Sequence, residues 1–329
     1  MTHGLTPGLG LGVTVAGGSK AFEPFGLWRP DSVDGLVRWL DSDHDPSFDT
    51  EVSLVSIVRD RGDQGRTLTR TAIEEQPARV PDPTIGRSFL LFGDAKSIGD
   101  GLVEQASGAF DLFLTARPAG PTVLGDVATT GENARVGSRL LLAPSETAAP
   151  NQVLGLALGT NGVAAIDRAP GTFTRLAQSV QTLSGITLVH LRVQGNQPQL
   201  GINGALEAPG LVSAAADLIL TGALGDIGDG GTSSGIGQEA GELGELIVFN
   251  RILEDEERAT IEGYLAHRWS ISAKLPNDHD YRHRAPHGPA GSGPSSGGGS
   301  SNGSDAGSLL ITETQDAIAT DTGELVVVE

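Results

Sequence analysis

Short apolar runs separated by Gly, Pro, Asn and Asp recur through most of this chain, and that punctuation restricts it to folds built from many strands. Ser88-Phe-Leu-Leu-Phe92, Phe110-Asp-Leu-Phe-Leu-Thr115, Arg139-Leu-Leu-Leu-Ala143, Val153-Leu-Gly-Leu-Ala-Leu158, Ile186-Thr-Leu-Val-His-Leu-Arg-Val193, Leu218-Ile-Leu220 and Leu246-Ile-Val-Phe249 are all strand candidates. One segment departs from the pattern. After the Leu246 run, Glu254, Asp255, Glu256 and Glu257 precede Ile261, Tyr264, Leu265 and Trp269, which fall at i, i+3, i+4 and i+8. That spacing puts the four apolar side chains on one stripe of a helix. The acids stand where the helix dipole favours negative charge, and His267 and Arg268 stand at the opposite end. Many strands with one short C-terminal helix predict an all-β, antiparallel β-sandwich of the jelly-roll kind rather than an alternating βαβ protein.

At 329 residues the chain can hold one large sandwich plus appendages. Forty-one acidic residues against 22 basic ones give a formal net charge of -19, which repels phosphate backbones and anionic membranes. Lysine occurs at Lys20, Lys96 and Lys274 alone, and no basic cluster overrides the overall sign, so no nucleic-acid partner is expected. Cysteine is absent, which excludes disulfides and thiolate metal sites. No apolar run reaches the roughly 18 residues of a membrane span, so membrane insertion is not expected. The N-terminus lacks the charged start and unbroken apolar stretch of a signal peptide. A virus particle released by lysis is one route outside the cell that needs no such signal.

Composition divides the chain into four parts. Residues 1–20 are Gly-rich and expected to dock on another surface, because glycine gives up the most backbone entropy on ordering. Residues 21–284 form the sandwich, with specificity expected in the loops 120–149 and 222–241. Residues 285–307 are a Gly/Ser/Pro linker. Residues 308–329 repeat an apolar strand followed by a polar turn. Its apolar side chains Leu309, Leu310, Ile311, Ile318, Leu325, Val326, Val327 and Val328 cannot be buried within one copy, so this tail is expected to drive oligomerisation or docking.

Three stretches resemble a known family. Gly244-Glu-Leu-Ile-Val-Phe-Asn-Arg251, continuing through the helix to Tyr281, is similar to the closing segment of bacterial and phage laminin-G-like domains in the concanavalin A-like lectin/glucanase superfamily. Leu36-Val-Arg-Trp-Leu-Asp-Ser-Asp43 with Gly62-Asp-Gln-Gly65 resembles the family's opening strand and hairpin, although Ile57-Val58 stands where the family usually has a tryptophan. Val189 to Val193 with Leu200-Gly-Ile-Asn-Gly204 resembles its hairpin ending in Val-Asn-Gly. The tail resembles strand-turn repeats at the ends of some phage structural proteins.

The candidate chemistry is sparse. Glucanases of this superfamily carry two glutamates on one strand around a shared cleft. Here the dense acids open the helix, and the three-residue spacing of Glu242 and Glu245 puts them on opposite faces of a strand. No Gly-x-Ser-x-Gly elbow supports a hydrolase triad. An enzyme is therefore not expected. Asp41, Asp43 and Asp45 alternate as calcium ligands do, but the glycine and distal glutamate of a helix-loop-helix site are missing. A solvated turn is the favoured reading, with calcium the metal candidate and no organic cofactor expected. His279, His283 and His287 recur every four residues between Pro276 and Pro286, prolines that argue against a continuous helix. Trp39 and Trp269 are assigned to the core, and Trp28 and Tyr281 are the candidate exposed rings for a ligand.

The resemblance implies a non-enzymatic virion structural protein, such as a tail fibre, spike or capsid decoration. It would contact other virion proteins through both termini, assemble as a homo-oligomer such as a trimer, and attach to a host surface, including host glycan. A bacterial carbohydrate-binding adhesin is the first alternative, and an enzyme cleaving surface polysaccharide, as the glucanases of this fold do, is the second.

Overall fold

The computed structural model describes residues 28–51, 53–62, 65–92, 97–98, 104–118, 140–142, 152–169, 172–221, 224–225, 241–287, 317–319 and 325–327. Among them the strands pair antiparallel, apart from one short parallel pair between Gln152–Val153 and Leu218–Ile219. The largest sheet has 11 strands. Its order runs Ala205–Pro209, Gln197–Ile202, Thr187–Gln194, Ala109–Arg117, Gly241–Phe249, Arg87–Phe92, Ala78–Asp82, Leu54–Arg59 and Phe48–Glu51. Leu36–Asp41 joins Gly241–Phe249, and Thr67–Thr69 joins Leu54–Arg59.

Alternation along these strands fills two cores, because successive side chains point to opposite faces. Leu112, Leu114, Leu246 and Val248 face a core completed by Leu156, Leu158, Val163 and Leu176 from a four-stranded sheet and by Leu218 and Leu220. Trp39, Phe113, Ile247 and Phe249 face the other way and meet Ile261, Tyr264, Leu265, Ala266 and Trp269. All but Trp269, the C-cap residue, lie on the single α-helix of the described residues, Asp255–Arg268. Burying side chains of this size stabilises by roughly 1.5–3 kcal/mol each, which holds the helix to the sheet. The expected all-β sandwich with one C-terminal helix is the observed architecture.

Gly241–Phe249 is the central strand, and it carries a bulge. Leu243 pairs with Ala116 but Glu245 pairs with Thr115, so Gly244 is the extra residue. A Cβ there would lie 2.7 Å from Thr115 Oγ1 and 2.8 Å from the Trp269 ring. The site takes glycine because of this close approach. The bulge also resets the alternation. Glu242 and Glu245 now share the helix-side face, Glu242 binding Arg117, whose guanidinium lies 4.9 Å from the Phe89 ring centre. The expectation that their spacing separates the two glutamates is corrected, since a period of two holds only where no residue is inserted.

The chain divides into two compact units, Met1–Ala290 and Gly291–Glu329. In the second, Ala317–Ala319 pairs antiparallel with Leu325–Val327, with Ile318 opposite Val326. Ile318, Leu325, Val326 and Val327 thus lie on a small hairpin. Leu309, Leu310, Ile311 and Val328, the leader 1–20 and most of the loops 120–149 and 222–241 fall outside the described residues.

Candidate ligand-binding groove and the polar network behind it

Three segments meet along the outer side of the helix. The helix contributes Asp255, Glu256, Arg258 and Ala259, residues 276–284 contribute Pro276, Asp278, His279, Asp280, Tyr281 and Arg284, and Gly204 completes the lining. They line an open groove of about 660 Å³, within the usual size range of small-ligand sites. Two glycines make the room. Gly204 turns its hairpin at φ +83°, and a Cβ there would press to 3.1 Å on both His279 and Leu275. Gly263 lets Tyr281 seat on the helix, since a Cβ at 263 would lie 2.4 Å from Tyr281 Cβ. Gly263→Ala sets two effects against each other. Helix propensity favours alanine by about 1 kcal/mol, but the contact is with a Cβ close to the backbone and cannot swing away. Thermal melts are expected to show a net loss of roughly 1–3 kcal/mol; a rise in Tm would refute this packing.

Behind the groove runs a buried polar chain. Glu262, 1% exposed, accepts two hydrogen bonds from Arg258 at 2.9 and 3.0 Å and one from His279 Nε2 at 3.1 Å. His279 Nδ1 accepts the Tyr281 backbone N–H at 3.2 Å, which assigns the ring proton to Nε2. Deeper in, His190 places Nε2 2.7 Å from Asp111 Oδ1 and stacks on Phe113 at 4.3 Å between centres. Its Nδ1 is buried without a hydrogen-bond partner, 3.8 Å from Glu262 Oε1. Asp111 also accepts from Arg192 at 3.0 and 3.1 Å and from the Leu253 N–H at 2.7 Å. Burial alone would push this carboxyl up, but His190, Arg192 and the N–H outweigh it and hold it below its ordinary value. Sequence reasoning missed this chain. Its trace was a polar, ionisable residue inside each of two apolar runs, Asp111 and His190.

A second network locks the helix to the sheet. Glu245 Oε1 accepts from Trp39 Nε1 at 2.6 Å and from Tyr264 OH at 3.0 Å, while Oε2 accepts from Trp269 Nε1 at 2.9 Å and pairs with Arg268 Nε at 3.1 Å. Burial first, and then the negative charge of Asp41, pushes Glu245 above its ordinary value against the pull of Arg268 and the two indoles. Burial and Glu245 push the Tyr264 phenol well up in turn.

The sequence-derived candidates fall as follows. Asp41 pairs with Arg61 and Arg268, Asp43 with Arg87, and Asp45 with Arg79. They diverge onto four guanidiniums instead of converging on one calcium ion. Among the described residues no group of three or more His, Asp or Glu is placed to hold a metal. Trp28 is 8% exposed and packs edge-on against Tyr264 at 5.8 Å, so its reading as an exposed ring is corrected. Tyr281 does line the groove. Of the three histidines only His279 reaches it, and no helix joins them.

No protein-family model and no curated protein matches the chain. Solved structures similar to it include the binding domain of Paraclostridial Mosquitocidal Protein 1, at 12% identity and a TM-score of 0.46, covering 72% of this chain and 55% of that one. A Trypanosoma rangeli sialidase in complex with sialic acid shows 17% identity, a TM-score of 0.45 and coverages of 71% and 33%. An arabinofuranosidase complexed with arabinofuranosyl-alpha-1,2-xylobiose shows 10% identity, a TM-score of 0.46 and coverages of 66% and 51%. The chain thus spans between a third and about half of these proteins' own lengths. The expectation that the chain is not an enzyme is corrected, since the strand-face argument against a glutamate pair, on which it rested, is undone by the Gly244 bulge.

Proposed function

We propose that this protein recognises carbohydrate through the groove between the helix and residues 276–284, as a surface-attachment module of a virion. One observation carries the recognition reading: a ligand-sized polar groove lined by exposed carboxylates, Arg258, Arg284 and Tyr281. Sugars offer hydroxyls to such carboxylates and ring faces to such an aromatic. The laminin-G-like resemblance supports a displayed sandwich, and the apolar hairpin supports attachment to copies of itself or to other virion proteins.

Calorimetry of the full chain against bacterial surface polysaccharides tests recognition. Tyr281→Ala should weaken binding by at least about tenfold, as loss of an aromatic anchor does, while Tyr281→Phe keeps the ring and most of the affinity. Equal binding by Tyr281→Ala would remove the groove from consideration. Light scattering tests assembly. The full chain should be a defined oligomer and a chain ending at Arg284 a monomer. The same mass state for both would sink the role of the tail.

A further inference from the structure

We propose that His190 is a proton-operated latch between the large sheet and the helix: a second proton, on its buried Nδ1, turns an unmatched contact with Glu262 into an ion pair that draws the helix onto the sheet. The ring is held in one orientation. It lies on the strand Thr187–Gln194, fully buried, with Nε2 2.7 Å from Asp111 Oδ1 and its face stacked on Phe113 at 4° between planes. Gly201, opposite it on the next strand, leaves little spare room: a Cβ there would lie 3.3 Å from His190 Cβ. Because Asp111 is held in its ionised form, Nε2 carries a proton and donates it. Nδ1 therefore faces Glu262 Oε1 at 3.8 Å either as a bare lone pair or as a second N–H.

The two states differ in what they leave unmatched. As a lone pair, Nδ1 is a buried acceptor with no donor among the described residues, set against a carboxylate oxygen, and it does not replace the water it lost. As an N–H, the same atom gains a charge-assisted hydrogen bond once the separation closes by about 1 Å. His279, the other histidine on Glu262, is different: its Nδ1 accepts the Tyr281 N–H and its Nε2 donates to Glu262, so one proton satisfies it. The charges around His190 favour the second proton as well. Asp111 faces Arg192 on the sheet, and Glu262 and Asp255 face Arg258 on the helix, so three carboxylates meet two guanidiniums and leave place for one more positive charge. The unfolded chain offers this proton no such acceptors. The latch therefore adds stability as pH falls through the range where histidines titrate, and releases it as pH rises.

Nuclear magnetic resonance of the full chain, titrated from about pH 8 to about pH 5, reads both halves of the latch. Nitrogen shifts of the His190 ring should show Nδ1 gaining a proton. With the same midpoint, protection of the amides of Asp255–Arg268 against hydrogen exchange, taken relative to the intrinsic rate, should rise at least about tenfold. Glu245 also holds the helix and also loses its contribution as pH rises, so variants separate the sources. The inflection should persist in Glu245→Gln and in His279→Gln and vanish in His190→Gln. A His190 ring that keeps one proton throughout overturns the proposal, as does one that gains a proton while helix protection stays level or falls. An inflection lost in His279→Gln or in Glu245→Gln assigns the proton to that residue and overturns it too, as does one that survives in His190→Gln. Both wild-type measurements stand whether or not His190→Gln folds.

Discussion

Glu245→Ala is expected to lower the stability of the folded unit by about 3–5 kcal/mol, the usual cost of removing one member of a buried ion pair. The loss is large because one carboxylate accepts hydrogen bonds from Trp39, Tyr264 and Trp269 and ion-pairs with Arg268. Each donor is buried, and a buried donor without an acceptor costs its desolvation outright. A urea titration should show the midpoint fall with the slope unchanged. A loss below about 1 kcal/mol would mean that water reaches these groups and that the network is not closed.

The pH dependence follows from the same residue. Burial and Asp41 raise Glu245 in the folded state above its ordinary 4.5. A raised carboxyl contributes stability that is fully present below the unfolded value and is lost as pH rises through the folded one. Asp111 is depressed and acts in the opposite sense, its contribution being lost as pH falls. Comparing the wild type with Glu245→Gln cancels Asp111, which both proteins carry. The wild type should therefore lose stability relative to Glu245→Gln as pH climbs upward from the ordinary glutamate value. A constant difference across that window would show that Glu245 titrates normally.

Gly244→Ala ranks next. The added methyl would sit 2.7 Å from Thr115 Oγ1, 2.8 Å from Trp269 Cη2 and 2.9 Å from Cζ2, and both Thr115 and Trp269 are buried. Neither neighbour has a free end to move, so the bulge must flatten or the helix must lift. Overpacking of a tight core costs typically 1–3 kcal/mol, and here the strained position is shared with the Glu245 network. Near-ultraviolet circular dichroism should report a changed environment for Trp269 alongside the lower midpoint. A variant as stable as the wild type would contradict the close approach.

The helix and the strands were legible because periodicity is local. Ile261, Tyr264, Leu265 and Trp269 were assigned to one stripe, and all four are buried on the same sheet face. The groove was only half legible. Tyr281 was singled out, but nothing local in the sequence says that Gly263, 18 positions earlier, makes its seat. The partners of Asp41, Asp43 and Asp45 were hidden for the same reason: Arg268 approaches Asp41 across 227 positions and Arg87 approaches Asp43 across 44. Alternating aspartates look alike whether they await a cation or a guanidinium. Trp28 was misread because the ring that covers it belongs to the helix. The Gly244 bulge defeated the face assignment of Glu242, since one inserted residue inverts every inference drawn from a period of two.

The position of Gly241–Phe249 governs how the protein can be made. Among the described residues, every strand on one side of it connects to the other side only through it, and Leu36–Asp41 has no other strand partner. Until that late segment leaves the ribosome, the large sheet exists as two separate pieces with open edges, which are templates for wrong pairing. Folding must therefore wait for nearly the whole unit and then join strands distant in sequence, a slow, all-or-none closure. A nascent chain arrested before residue 241 should resist folding and depend on chaperones, while one that exposes residue 275 should acquire protease resistance in a single step.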